Sequence, residues 1–192
     1  MTELVDYGGE FDPHFNHAKL AKETLVKLLK TYSEYMLRID GFWYLTVMDK
    51  WGNNEAFDCD VRVWEKAQLF ELETMTRALN IHGNDVATVM KYLQVNPWIW
   101  IFDYEIDMRS SDHSIVTFHR CPTLLALERE GMGREERICQ ELEAKLWTIM
   151  AHYFNPNIRV SGIKVPPRTG YKDVCCQWEY KLDHKRENGD ST

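Results

Sequence analysis

Residues 98–108, WIWIFDYEIDM, decide the fold. Before Asn96-Pro97 apolar residues recur every three or four positions. Here they alternate, with Trp100, Phe102, Tyr104, Ile106 and Met108 on one face and Asp103, Glu105 and Asp107 on the other. That period predicts a strand. Residues 109–112 read as a turn, and 114–120 return as its hairpin partner, Val116 and Phe118 inward, Thr117 and His119 opposite.

Upstream the period is helical. Leu20, Leu25, Leu28, Leu29, Tyr32, Tyr35, Met36 and Ile39 form one stripe expected to be buried. Gly41 marks a bend or break, after which Trp43, Tyr44, Val47, Met48 and Trp51 continue an apolar face as far as Gly52-Asn53-Asn54. A second helix is predicted over 55–79, carrying Phe57, Val61, Trp64, Leu69, Leu72, Met75 and Leu79, and a third over 85–95, capped by Asn84 or Asp85. Downstream of the hairpin, Pro122 suits the first turn of a helix over 123–130, and a longer helix follows over 135–154. Strands are predicted over 158–165 and 174–182, joined through Pro166-Pro167 and Gly170, and residues 184–192 form a polar tail. Three helices, a hairpin, two helices and two strands predict an α+β fold of two layers, the N-terminal helices packed on a four-stranded antiparallel sheet. The whole chain, 1–192, reads as one domain with an ordered core of about 15–183.

Composition excludes several classes of function. Asp and Glu outnumber Lys and Arg by 30 to 23, and no basic stripe marks a phosphate track, so nucleic acid is not an expected partner. No apolar run approaches the roughly 20 residues that span a bilayer and the N-terminus has no leader pattern, so a cytoplasmic protein without membrane contact is expected. Five cysteines without an export signal predict free thiols rather than a disulfide framework. Glycine-rich phosphate loops, the G-x-S-x-G elbow, C-x-x-C pairs and H-E-x-x-H are all absent. Seven Trp, nine Tyr and eight Phe either fill a core or line a pocket for a flat small molecule.

Cysteines at element boundaries carry the remaining chemistry. Cys121 stands where a helix begins, a place where backbone N–H groups favour thiolate, although free Cys is as often simple packing. Cys139 and Glu143 share a helix face at i, i+4. Cys175 and Cys176 point to opposite faces of the last strand, Cys176 with Trp178 on the helix side and Cys175 with Gln177 and Glu179 on the polar side. If Cys121, Cys139 and Cys176 meet, with Glu143 or His119 nearby, they make a donor set for a divalent metal, zinc being the best match. Asp40 and Asp49, flanking Trp43 and Tyr44, are candidates for a general base or a ligand contact, and His119 with Glu105 and Glu179 for an acid–base group on the other sheet face.

The segments RCPTLLALEREGMGREERIC, FNPNIRV, KVPPR and CCQWEY, with LRIDGFWYLTVMDKWG upstream, resemble the bacterial and archaeal family called L-2-amino-thiazoline-4-carboxylic acid hydrolase-like, over about residues 20–182. The element order also resembles the vinyl-reductase and trafficking-subunit type of ligand-binding domain, which implies an apolar cavity between the layers. The family resemblance implies that Cys121-Pro122, Cys139 with Glu143, and Cys176 belong together, and that Asp40, Gly41 and Trp43 form a helical motif. At Asp49 the chain departs from the pattern, which often carries Glu. The implied reaction is hydrolytic opening of a C–N bond in a small heterocycle or amidine, with Cys121, Glu143 and Asp49 as catalytic residues, Asp40, Trp43, Tyr44, His119 and Trp178 around the ligand, and Cys121, Cys139 and Cys176 on a metal. Two other readings stand beside it. One is a non-catalytic ligand- or metal-sensing module with an aromatic pocket, and the other an interaction subunit marked by exposed apolar surface and homodimer formation.

Overall fold

The structure is a computed structural model that describes residues 3–183; the tail expected at 184–192 lies outside the described residues. Three helices come first, α1 (Lys22–Trp51), α2 (Asn53–Leu79) and α3 (Val86–Val95), followed by the hairpin β1 (Asp103–Ser110) and β2 (His113–Arg120). Next come α4 (Pro122–Glu130), α5 (Arg134–Arg137), a π-helical turn (Ile138–Glu143) and α6 (Ala144–Phe154), and the chain closes with β3 (Ile158–Lys164) and β4 (Cys176–Leu182). The sheet is antiparallel throughout, in the order β1-β2-β4-β3. The α+β fold and its element order are those predicted.

Local chemistry accounts for most of the boundaries. Asp85, not Asn84, caps α3, its carboxylate accepting from the Thr88 backbone N–H at 2.8 Å. Cys121 caps α4, with Pro122 at the first helical position. Three predictions need correction. Trp100 is not in a strand, because Asn96 accepts from the Trp98 N–H at 2.8 Å and turns Ile99–Ile101 into a 3₁₀ segment, so β1 starts only at Asp103. Gly41 does not break α1, because the helix ladder runs on to Trp51 and Gly52, at φ 90°, makes the turn instead. The stripe Leu29, Tyr32, Tyr35, Met36 and Ile39 is exposed. In this helix Ser33, Tyr44 and Val47 are buried, so α1 packs on α2 and the 3₁₀ turn with another face.

Two clusters fill the interior. The larger lies between α2, α3, α6 and the sheet, around Leu72, Tyr92, Met150, Ile158, Trp178 and Tyr180. The smaller lies where α1 and α2 meet α4 and the π turn, around Tyr44, Phe57, Leu127 and Leu142. The helices hold the loop before the sheet through one carboxylate. Glu71 on α2 accepts from the Tyr92 hydroxyl, from Asn96 Nδ2 at 2.7 Å and from Trp98 Nε1 at 3.0 Å. Removing that acceptor leaves three donors without a partner in the interior. Glu71→Ala should therefore lower the unfolding free energy by about 3 kcal/mol, measured by urea denaturation, and Glu71→Gln by less.

Candidate functional site

The π turn is the local feature that builds the site. Its backbone places one extra residue in a turn of an otherwise α-helical rod, an arrangement frequent at functional sites. Cys139 and Glu143 both lie in that turn. Gln140 in the same turn donates to the Pro166 carbonyl at 2.8 Å, tying it to the loop before β4. In the middle of the sheet Phe118 of β2 pairs with Cys176 of β4, and Cys121 follows β2 at the start of α4.

Cys121, Cys139, Cys176 and Glu143 are near enough for their charges to act on one another. Burial pushes the Cys121 thiol up to about 12, and the Glu143 charge adds to the effect, against the Leu124 N–H that donates to its sulfur at 3.4 Å. Burial likewise raises Cys139, which also feels Glu143, Cys121 and Cys176. Cys176 is raised by burial and opposed by the Trp178 indole beside it. All three are neutral thiols at pH 7, so Cys121 at its helix start is not a preformed thiolate. Among the described residues no group of three or more His, Cys, Asp or Glu side chains is arranged to hold a metal ion.

The carboxyls are the chemically active part. Glu143 is partly buried, and loss of solvent followed by the charge of Asp40 raises it to about 7. Asp40, on α1, is raised by burial to about 6 although Trp64 Nε1 donates to it at 3.1 Å. Asp60, on α2, is 4% exposed and raised to about 7 by burial, then by Asp40 and Glu143, against Trp64 and Arg134. Three acids on three elements thus share one seam and titrate near neutrality. Several interior polar atoms there lack a protein partner: Asp60 Oδ1, Trp147 Nε1 and Trp178 Nε1. Trp147 lies one turn beyond Glu143, and its ring centroid is 6.5 Å from that of Trp178. The Trp178 ring lies against Gly162 of β3, where a Cβ would stand 3.3 Å from it.

The other expected site residues are elsewhere. Asp49 is exposed near the end of α1, away from the seam. Trp43 is 39% exposed on the outer side of α1, whereas Tyr44 is buried, donates to Asn53 Oδ1 at 2.8 Å and lies under the Arg134 guanidinium. His119 is on the polar sheet face, 3.5 Å from Glu105, and Glu179 binds His113 instead, at 2.8 Å, so the expected acid–base group is split. Cys175 is buried, contrary to its expected polar surroundings. It lies just before β4, its thiol donating to the His119 carbonyl at 3.4 Å, in a region where Arg168 bridges Glu128 of α4 at 2.7 Å. The expected apolar space between the layers is occupied by rings, Phe118 stacking on Trp147 at 5.6 Å and Phe102 edge-on to Phe118 at 5.7 Å. Two depressions are open surface grooves, one of about 580 Å³ beside Leu69, Ile149 and Tyr153, the other of about 390 Å³ beside Arg62, Glu65 and Arg137; neither includes the seam.

The residues the sequence reading passed over are Asp60, Arg134 and Trp147. Asp60 was visible in principle, since it falls between Phe57 and Trp64 on the buried stripe of α2, where a carboxylate breaks the apolar pattern. Residues 18–182 match the family model described as a family of unknown function, DUF6125. The chain belongs to this family. No curated protein and no solved structure matches it. The matched span includes all three acids and all three thiols, so the seam falls within the part of the chain that defines the family.

The carboxyls predict a pH dependence of stability. Their folded pKa values of about 6 to 7 lie above the ordinary values of 3.8 and 4.5, so between about pH 4 and pH 7 the folded chain binds more protons than the unfolded one. The sign is then negative, and this contribution to stability is full below about pH 4 and lost progressively as pH rises to about 7. Thermal melts should show a higher midpoint at pH 5 than at pH 8, with the difference reduced in Asp60→Asn and Glu143→Gln.

Proposed function

We propose that the seam is the active site of a hydrolase that opens a C–N bond in a small heterocycle or amidine. The observation that supports this reading is the trio Asp40, Asp60 and Glu143. Buried acids held near neutrality are suited to moving protons at physiological pH. Glu143, at about 7, is divided between base and acid at neutral pH. As carboxylate it takes a proton from water as the oxygen attacks the amidine carbon. Asp40 or Asp60, in its protonated form, gives a proton to the departing nitrogen, and the ionised partner holds the positive amidinium beforehand. The unpaired N–H groups of Trp147 and Trp178 supply donors for an anionic group of the ligand. Cys121, protonated and buried, shapes the site and does not attack.

A second reading follows from the mutual charge effects among Cys121, Cys139, Cys176 and Glu143. Three thiols and a carboxylate are a donor set that zinc takes, although among the described residues they are not arranged around one ion, so metal binding here requires side chains to turn as it displaces thiol protons. In that case the protein is a metal-dependent hydrolase or a metal-binding sensor. Elemental analysis of protein purified without added metal separates the two, near-stoichiometric zinc favouring the second.

The functional test uses 2-amino-thiazoline-4-carboxylate, the ring named by the family resemblance. Incubation followed by mass spectrometry should give a ring-opened product heavier by one water. Glu143→Gln should lower the rate by about 100-fold or more, Cys121→Ser should retain most of it, and the wild-type rate should trace a bell in pH that peaks near 6 to 7, because base and acid must be ionised and protonated together. Absence of product, or a dead Cys121→Ser beside an active Glu143→Gln, would contradict the carboxylate mechanism.

A further inference from the structure

The outer side of α1 carries a second apolar stripe that the described residues leave largely open. Its positions are Leu25, Leu28, Tyr32, Tyr35, Ile39, Phe42 and Thr46, spaced three, four, three, four, three, four. That is the a/d spacing of a coiled-coil seam, sustained for three heptads. Leu29, Met36 and Trp43, each one residue after a d position, widen the stripe on one side. Leu25 and Leu28 are partly covered, but Tyr32, Tyr35, Ile39 and Phe42 are 48% to 63% exposed. The opposite face of the same helix is already used, through Ser33, Tyr44 and Val47.

We infer that this stripe is a homodimer interface in which α1 packs antiparallel against α1 of a second copy. Area is the first argument. With large aromatic side chains offering roughly 200 Å² each, the exposed fractions of the stripe sum to roughly 700 Å², above the patch of an ordinary monomer and near the roughly 800 Å² that each partner gives to a standard interface. The second argument is self-complementarity. A two-fold contact must use the same surface on both copies. About a centre between Ser33 and Glu34 the seam is its own mirror in sequence, so Leu25 meets Phe42, Leu28 meets Ile39 and Tyr32 meets Tyr35, each layer matching apolar with apolar. The third is charge. A second copy brings the same charges, so a charged seam would repel itself, and none of the seven seam positions is charged. Lys27, Lys30 and Glu34 stand at positions off the seam.

Sedimentation velocity of the full chain over a range of concentrations, with the Tyr35→Glu/Ile39→Glu variant beside it, tests the inference. Both positions are exposed in the single chain, so the variant should keep its far-ultraviolet circular dichroism. Phe70→Glu, on an exposed position of α2 72% open to solvent, is the control. The expected result is a wild-type dimer at micromolar concentration, a monomeric double variant and a dimeric control. A wild-type monomer throughout the range, or a double variant that dimerises as well as the wild type, would overturn the assignment.

Discussion

One slip in a helix ladder, between Ile138 and Glu143, sets the geometry of the candidate site. Cys139 and Glu143 stand four positions apart in that turn, a spacing that keeps two side chains on one side of a helix. Cys139 and Glu143 are thereby aimed at one region. The turn is itself anchored, because Gln140 holds the loop before β4 and Ile138 and Leu142 are buried in the helical cluster. Everything that makes the site chemically unusual follows from the position this gives Glu143, beside three thiols and near the acids of α1 and α2.

Burial of those acids has a cost that the surroundings only partly offset. Trp64 donates to Asp40, and Arg134 lowers Asp60 from a distance while pairing with Glu130. Neither neutralises the group, and the acids stay raised. Structural carboxylates in this same chain are treated differently. Glu71 is raised by burial as well, but three donors satisfy it, and Asp85 has two from Thr88 and is held below the usual carboxylate range. The contrast separates acids that fasten elements together from acids left short of partners in the interior, which is the property expected of groups that must change protonation state.

Much of the architecture was legible in the sequence, because a change of period at Asn96-Pro97 and the alternation through β1 and β2 are local signals. Strand faces also followed from alternation, which placed Cys176 with Trp178. The boundaries that failed were decided by side-chain contacts at a distance or by turn chemistry, as at Asn96, whose side chain is shared between Glu71 and the 3₁₀ turn. The stripe of α1 failed for another reason. Apolar spacing records that a face is to be covered, and does not record whether the cover comes from the same chain. In the site, i, i+4 spacing was enough to pair Cys139 with Glu143, but the π turn and the approach of Asp40 and Asp60 depend on tertiary packing. Asp49 and His119 were credited for their residue type, and one lies on an exposed helix end, the other on the polar sheet face.

The most direct measurement is a carbon-13 NMR titration of the side-chain carboxyls in protein labelled at Asp and Glu, with Asp40→Asn, Asp60→Asn and Glu143→Gln used to assign the signals. The account predicts three carboxyls with midpoints near 6 to 7, each shifted downward when a neighbour of the trio is neutralised. Midpoints near 4 for all three, unmoved by the neighbouring substitutions, would contradict it and remove the basis for acid–base chemistry at the seam.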